Sequence, residues 1–334
     1  MTVSFKSINE LFTKLLTTIV FSCVSLICNA TGEDSFNPAE MINHHIMDSH
    51  KWEIAHGLEI HLPVIIWHEG ELSMFSSANF FDDQHNEKDY QGFKMHHDHI
   101  TTADGKHVMD FSITKNVLFI FINAALMLLL FLAVASGYKK NTGKAPKGIQ
   151  SFFEPIIIFV RDEIVKPNID QNKYEKYLPY LLTLFFFIWF GNIIGLLPGA
   201  ANMTGNIAVT LVLAIGTMIL TNFNGNKNYW SHIFVAPGVP IIIKPLIVIV
   251  EIIGIFTKPG SLMIRLFVAI TAGHIVILSL LGLTFIFQSY LVGIGSTIVV
   301  VAITFIEILV ATIQAYVFTM FTSMYIGMAV NKHH

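Results

Sequence analysis

The chain has 334 residues, of which 53% are hydrophobic and only 13% charged, with a mean hydropathy of +0.61. Soluble domains carry roughly 25% charged residues, so this composition describes a membrane protein with several spanning helices and one modest polar segment. A net charge of −3 and a pI near 6.6 leave no basic footprint, which excludes nucleic acid as a partner.

At the N-terminus, Lys6 and Lys14 precede an apolar stretch at 15–27 that ends in Cys28-Asn29-Ala30. A basic flank, a short apolar region and a small residue before the cut describe a secretory signal peptide over residues 1–30. A retained first helix is the alternative, but the apolar run is short against the roughly twenty residues a span needs. Cleavage would remove Cys23 and Cys28, and with them any disulfide or thiol chemistry.

Residues 31–112 form the polar segment, expected outside the cytoplasm. It holds eleven of the 15 histidines, between His44 and His107. Alternating pieces such as "LEIHLPVIIW" (58–67) predict a few short strands. The run "HHDH" (96–99) lacks the regular spacing of a ligand set and reads as a solvated stretch. No metal or other cofactor is expected.

From residue 113 onward the chain reads as a membrane domain. Apolar runs lie at 116–138, 177–197, 206–222, 239–257, 260–288 and 293–330. Between the first two, "GIQSFFEPIIIFVRDEIVKP" (148–167) has one apolar face and one charged face, predicting an amphipathic helix on the membrane surface. The loop at 139–176 carries eight Lys and Arg, whereas those at 198–205 and 289–297 carry no charge. By the positive-inside rule the first loop is cytoplasmic and the other two face out. With the polar segment outside and the C-terminus inside, five spans fit better than six. The run at 239–257 contains Lys244-Pro245 and Glu251, and Pro259-Gly260 separates it from the next, so it is the one to demote. The predicted class is an all-α membrane protein: five transmembrane helices, the last two long and tilted, with one surface helix.

Ionisable groups at the centre of a membrane cost roughly 2.5–3.5 kcal/mol each and mark function by default. Here they are Lys244, Glu251, Lys258, Arg265, His274 and Glu307, with polar Gln314. The first four are spaced by seven, which the Pro-Gly break reduces to coincidence. Lys244 and Lys258 can snorkel to an interface. Arg265, one of two arginines in the chain, has about twenty apolar residues still to follow. Glu307 and Gln314 are two turns apart and share a helix face. Arg265 and His274, nine apart, point in different directions. A structural ion pair between Arg265 and Glu307 is the rival account of both charges.

The stretches "SLMIRLFVAITAGHIVI" (261–277) and "FIEILVATIQAYVFTMFTSMYIGMAV" (305–330) resemble subunit a of the F-type ATP synthase, the membrane stator against which a ring of c subunits turns. "NIAVTL" (206–211), "EIIGIFTKPGSLMIRLF" (251–267) and "FFEPIIIFVRDEI" (152–164) agree in order and spacing, and "MINHHI" (41–46) agrees faintly. Residues 50–110 look like an insertion peculiar to a subgroup. The resemblance implies that Arg265 is the family's essential arginine and Gln314 its glutamine. The family commonly has a carboxylate where His274 stands, and one branch a histidine where Glu307 stands, so the pair looks exchanged. Ala269 replaces a family asparagine.

What the resemblance implies is a proton-translocating stator of a bacterial inner membrane, with two half-channels separated by Arg265. His274 and Glu307 would form a relay in the outer half-channel, Glu251 would line the path, and Gln314 would hold the guanidinium without neutralising it. The expected partners are the c-ring, the b subunits of the peripheral stalk and lipid. No nucleotide is expected: "GYKKNTGKA" (137–145) has five residues instead of four before Gly143-Lys144, and Ala145 where Ser or Thr is needed. The chain is then a non-catalytic subunit. A secondary ion transporter using the same Arg/Glu/His group is the alternative, although no inverted repeat supports it. A membrane-anchored metal-binding protein would leave Arg265 and Glu307 unexplained.

Overall fold

The computed structural model describes residues 42, 46–55, 58–82, 88–96, 98–103, 105–197, 199–235, 237 and 240–331. The expected signal peptide, both cysteines, most of "MINHHI" and His97 of "HHDH" lie outside the described residues. The chain divides into two compact units: residues 48–271 with 310–334, and residues 1–47 with 272–309.

In the first unit, the histidine-rich segment is more extensively stranded than the sequence suggests. Among the described residues its strands are β1 (Lys51–Ala55), β2 (Leu58–His61), β3 (Pro63–His68), β4 (Glu71–Ser76), β5 (Phe93–His96), β6 (His99–Thr102) and β7 (Met109–Asp110). They pair as β1-β2, β4-β3-β7 and β5-β6, all antiparallel. Glu69 and Gly70, both at positive φ (50° and 92°), form the two-residue turn from β3 to β4. That geometry matches strand twist and favours glycine at the second position. Val64, Ile66, Phe80, Phe93, Met95 and Ile100 make the small apolar core.

His50 is buried beneath this segment, its Nε2 2.9 Å from Asp110 Oδ2 and its Nδ1 3.9 Å from Asp98 Oδ1. Ser49 Oγ and the His50 amide both donate to Asp98 Oδ1, at 2.9 and 3.2 Å. Burial pulls the imidazole down, but the hydrogen bonds and charges of the two aspartates outweigh it and raise His50 to about 9. Burial pushes the two carboxyls up, and their bonds to His50 and to Ser49 and Ser112 hold both below the usual range. Because the folded value for His50 exceeds the unfolded one, its contribution is complete below the unfolded pKa of 6.5 and lost as pH rises through about 9. The shift corresponds to about 3 kcal/mol. We expect residues 48–112 to resist limited proteolysis at neutral pH and to open above about pH 9, whereas His50→Leu opens them already at neutral pH. Equal resistance of both proteins at every pH would contradict this.

The strands are tied to the first membrane helix, α1 (Lys115–Lys140). Its leading amides donate to Ser49 O (2.8 Å) and to Asp48 Oδ1 (3.0 Å), an acid where the helix dipole favours one. Two lysines occupy its last turn. Trp52 meets Phe119 of α1 edge-on at 5.3 Å, and its Nε1 donates to Gly199 O at 2.7 Å.

Helix α2 (Ile149–Phe159) continues into a π-helical turn, Val160–Val165, in line with the expected amphipathic helix. Then follow α3 (Tyr174–Gly195), α4 (Ile207–Phe223), α5 (Lys227–Val235), α6 (Lys244–Phe287) and α7 (Tyr290–Val330). Buried polar bonds fasten α3 to its neighbours: Asn192 donates to Ala311 O (3.3 Å) and accepts from Thr204 (2.6 Å), and Trp189 Nε1 donates to Thr312 Oγ1 (3.1 Å). At the end of α3 away from Trp52, the last turn of α7 lies against the lysine-rich loop. Lys173 Nζ and Asn226 Nδ2 donate to Val330 O, and the Asp170 amide donates to Asn331 Oδ1 (3.0 Å).

Two expectations about the spans change. The runs at 239–257 and 260–288 are one continuous helix, α6, of 44 residues. Pro259 removes one amide, but breaking the helix in an apolar medium would strand several more backbone groups, so the helix runs through. Pro245 sits in the first turn, where a missing amide is harmless. The seven-residue spacing of Lys244, Glu251, Lys258 and Arg265 is therefore one stripe of one helix. The run at 206–222 is also not a simple span: α4 is only 17 residues long and bends by 100° into α5. Among the described residues, four helices are long and apolar enough to cross a membrane, or five if the bent pair counts as one.

Candidate functional site

Arg265 comes from the middle of α6. Leu262 and Leu266, on the inward side of that helix, are fully buried, which leaves Arg265 on the exposed side. Its guanidinium lies over the Phe321 ring of α7, 4.6 Å from the centroid. Phe321 itself contacts Tyr325 one turn on, with centroids 6.1 Å apart. Within this unit, no carboxylate among the described residues is in ion-pair range of Arg265. A cation over an aromatic face gains about 0.5–2 kcal/mol while keeping its full charge. Gln314 stands seven residues before Phe321, hence on the same face of α7, about 10 Å along the axis.

Beside Lys258 there is a small cleft, mostly apolar with a few hydroxyls and amides, that sequence reasoning missed. Thr217, Met218, Thr221 and Asn222 of α4, Tyr229 of α5, Ile255, Lys258 and Pro259 of α6 and Tyr325 of α7 line it. Thr217 and Thr322 share a hydrogen bond (3.2 Å), and Tyr229 OH donates to Asn222 Oδ1 (3.0 Å). The Thr221 hydroxyl is buried with no hydrogen-bond partner among the described residues. Glu251, two turns before Lys258, faces His232 of α5 at 3.8 Å. It belongs with this end of α6, two heptads from Arg265. Uncharged hydroxyls and amides are common in apolar helices, so only the stripe through Lys258 could have pointed here.

The second unit contains the helical hairpin made by the end of α6 and the start of α7. A Cβ on Gly293 would lie 3.1 Å from Thr284, and one on Gly273 would lie 2.1 Å from Glu307 Oε1. These two approaches set the register of the hairpin. The Glu307 carboxylate thus rests against the backbone of Gly273, the residue before His274. Glu307 is 8% exposed, and its Oε2 has no hydrogen-bond partner among the described residues. The arrangement puts a buried acid against the backbone residue that precedes His274.

Gly273 therefore matters by what it lacks. Gly273→Ala would drive the carboxylate from its place, since no real Cβ tolerates 2.1 Å. We expect normal abundance and a loss of proton flux on the order of ten- to a hundred-fold, the scale of a roughly 1 Å misplacement. Unchanged flux would show that the carboxylate position is unimportant. Among the described residues, no group of three His, Cys, Asp or Glu side chains is placed to hold a metal ion.

A family model described as ATP synthase A chain matches residues 117–327, and one described as a domain of unknown function matches residues 41–118. The chain is similar to "ATP synthase subunit a 2" of Chlorobaculum tepidum, 37% identical over 299 residues, 87% of this chain and 73% of that protein. It is also similar to "ATP synthase subunit a" of Chloroherpeton thalassium, 44% identical over 225 residues, 66% of this chain and 67% of that protein.

Proposed function

The chain belongs to the ATP synthase A chain family, and on that premise we propose that it is the proton-conducting stator of the membrane sector, with Arg265 as the charge barrier between two half-channels. The observation that carries this reading is the setting of Arg265: a permanent cation on an apolar, exposed helix face, held by a ring, with no carboxylate among the described residues of its unit in ion-pair range. A cation so placed can draw the proton from an arriving carboxylic acid and then release the carboxylate, because nothing on its own side has neutralised it. It also repels a proton that would cross without the rotor.

Two features support the half-channels. Along α6 the Lys258 cleft precedes Arg265 by seven residues and His274 follows it by nine. The cleft lies toward the end of the first unit where the lysine-rich loop meets the last turn of α7, the cytoplasmic side by the positive-inside rule. It is the inner half-channel in this reading, with Glu251 and His232 at its mouth. His274 and Glu307 form the outer relay, an imidazole passing protons to a carboxylate.

The same reading makes the α4–α5 pair the fifth span and puts residues 31–112 outside the cytoplasm, after removal of residues 1–30. Helices of 44 and 41 residues are about 66 and 62 Å long, twice a membrane core of about 30 Å, so α6 and α7 lie steeply tilted. The partners are a ring carrying one carboxylate per subunit, the peripheral stalk and lipid, in a bacterial inner membrane. Nucleotide chemistry belongs to other subunits. The test is isolation of the tagged chain from its membranes: a c-ring and stalk subunits should copurify, and vesicles of the complex should acidify on adding ATP. A chain isolated alone that transports ions by itself would overturn the proposal in favour of a secondary transporter.

A further inference from the structure

The sheet β4-β3-β7 has one face in the core and one bare. Val64 and Ile66 point inward with no exposure, so Ile65 and Trp67 point the other way. Their cross-strand partners are Met74 and Leu72 on β4, and Met109 on β7 opposite Trp67. Phe111 extends β7 and donates its amide to Ile65 O at 2.8 Å. Trp67, Leu72, Met74, Met109 and Phe111 are 45–66% exposed. A contiguous set of this kind is not the scatter of single apolar residues found on ordinary surfaces.

We propose that this face lies flat on the membrane, with Trp67 and Phe111 in the headgroup region of the outer leaflet. Chain length ties it there. Only residues 111–114 separate β7 from α1, a reach of at most about 14 Å. Those residues stay alongside β3 until the helix begins, because the Ile113 amide donates to Pro63 O at 3.1 Å. The bare face therefore runs into the exposed apolar surface of α1, where Phe121, Leu128, Leu129 and Leu132 are 59–68% exposed. Its chemistry fits the same occupant. It consists of Trp, Phe, Met, Leu and Ile, and an amphipathic indole prefers the membrane–water boundary. The charged Glu69 and Glu71 are confined to the hairpin tip. The proposal rests on α1 crossing the membrane and not on the proton pathway.

The experiment is fluorescence of the full chain in phosphatidylcholine–phosphatidylglycerol vesicles, Trp67 being isolated by difference from Trp67→Phe. Lipids brominated high on the acyl chain should remove most of the Trp67 signal, and aqueous iodide should leave it. Quenching by iodide but not by brominated lipid overturns the proposal. So does protection from both, which would mean a protein covers the face. Leu72→Asn with Met74→Asn should make Trp67 accessible to iodide; no change would also overturn it. The three remaining tryptophans of Trp67→Phe, Trp52, Trp189 and Trp230, control for insertion. If brominated lipid left these unquenched as well, α1 would not be in the membrane and the premise would fall.

Discussion

Arg265→Lys assembles at normal abundance and lowers ATP-driven proton pumping by about ten-fold or more. Lysine keeps the charge but loses the planar fork that stacks on Phe321. A cation–ring contact is worth roughly 0.5–2 kcal/mol, and about 1.4 kcal/mol is a factor of ten in an equilibrium. The freed ammonium would follow the rotor carboxylate and hold it too tightly. An ion pair with Glu307 as a structural element predicts otherwise. Losing one partner of a buried pair is destabilising by about 3–5 kcal/mol, so Arg265→Ala would empty the membranes of the subunit and removing Glu307 as well would restore it. Immunoblots of membranes beside pumping assays separate the two. Normal abundance with failed pumping is the expected result.

His274→Ala and Glu307→Ala should each slow proton flux by about a hundred-fold, the range in which a positioned acid or base acts. The exchange His274→Glu with Glu307→His should restore part of the loss, because it keeps one acid and one imidazole at the same place on the hairpin. That place is set by backbone: Gly273 lets the carboxylate settle against α6. Flux measured in vesicles under an imposed pH gradient decides. If the exchanged protein were no faster than either single variant, the two groups would not act as a pair.

Charges out of place made Arg265, His274 and Glu307 legible in the sequence, because each is expensive in lipid and stands far from the helix ends, where a charge could reach water. What holds Arg265 was not legible. Phe321 and Tyr325 are ordinary in an apolar helix, and only their seven- and eleven-residue offsets from Gln314 place them on one side. The Lys258 cleft was missed for the same reason: hydroxyls and amides leave little trace in composition. Pro259-Gly260 misled the division of α6, since a rule drawn from water-exposed helices overstates what one missing amide does in an apolar medium. In the N-terminal segment, the alternation around Val64 was a visible signal, whereas the His50–Asp98–Asp110 cluster joins residues 48 and 60 positions apart, beyond the reach of local patterns.

The claim that Arg265 separates two half-channels is tested most directly by passive proton conduction through vesicles carrying the Arg265→Ala complex, stripped of its nucleotide-binding sector. The charge barrier predicts a leak well above that of the unaltered complex, abolished when the rotor carboxylate is neutralised as well. A complex present at normal abundance that stays as proton-tight as the unaltered one would contradict it.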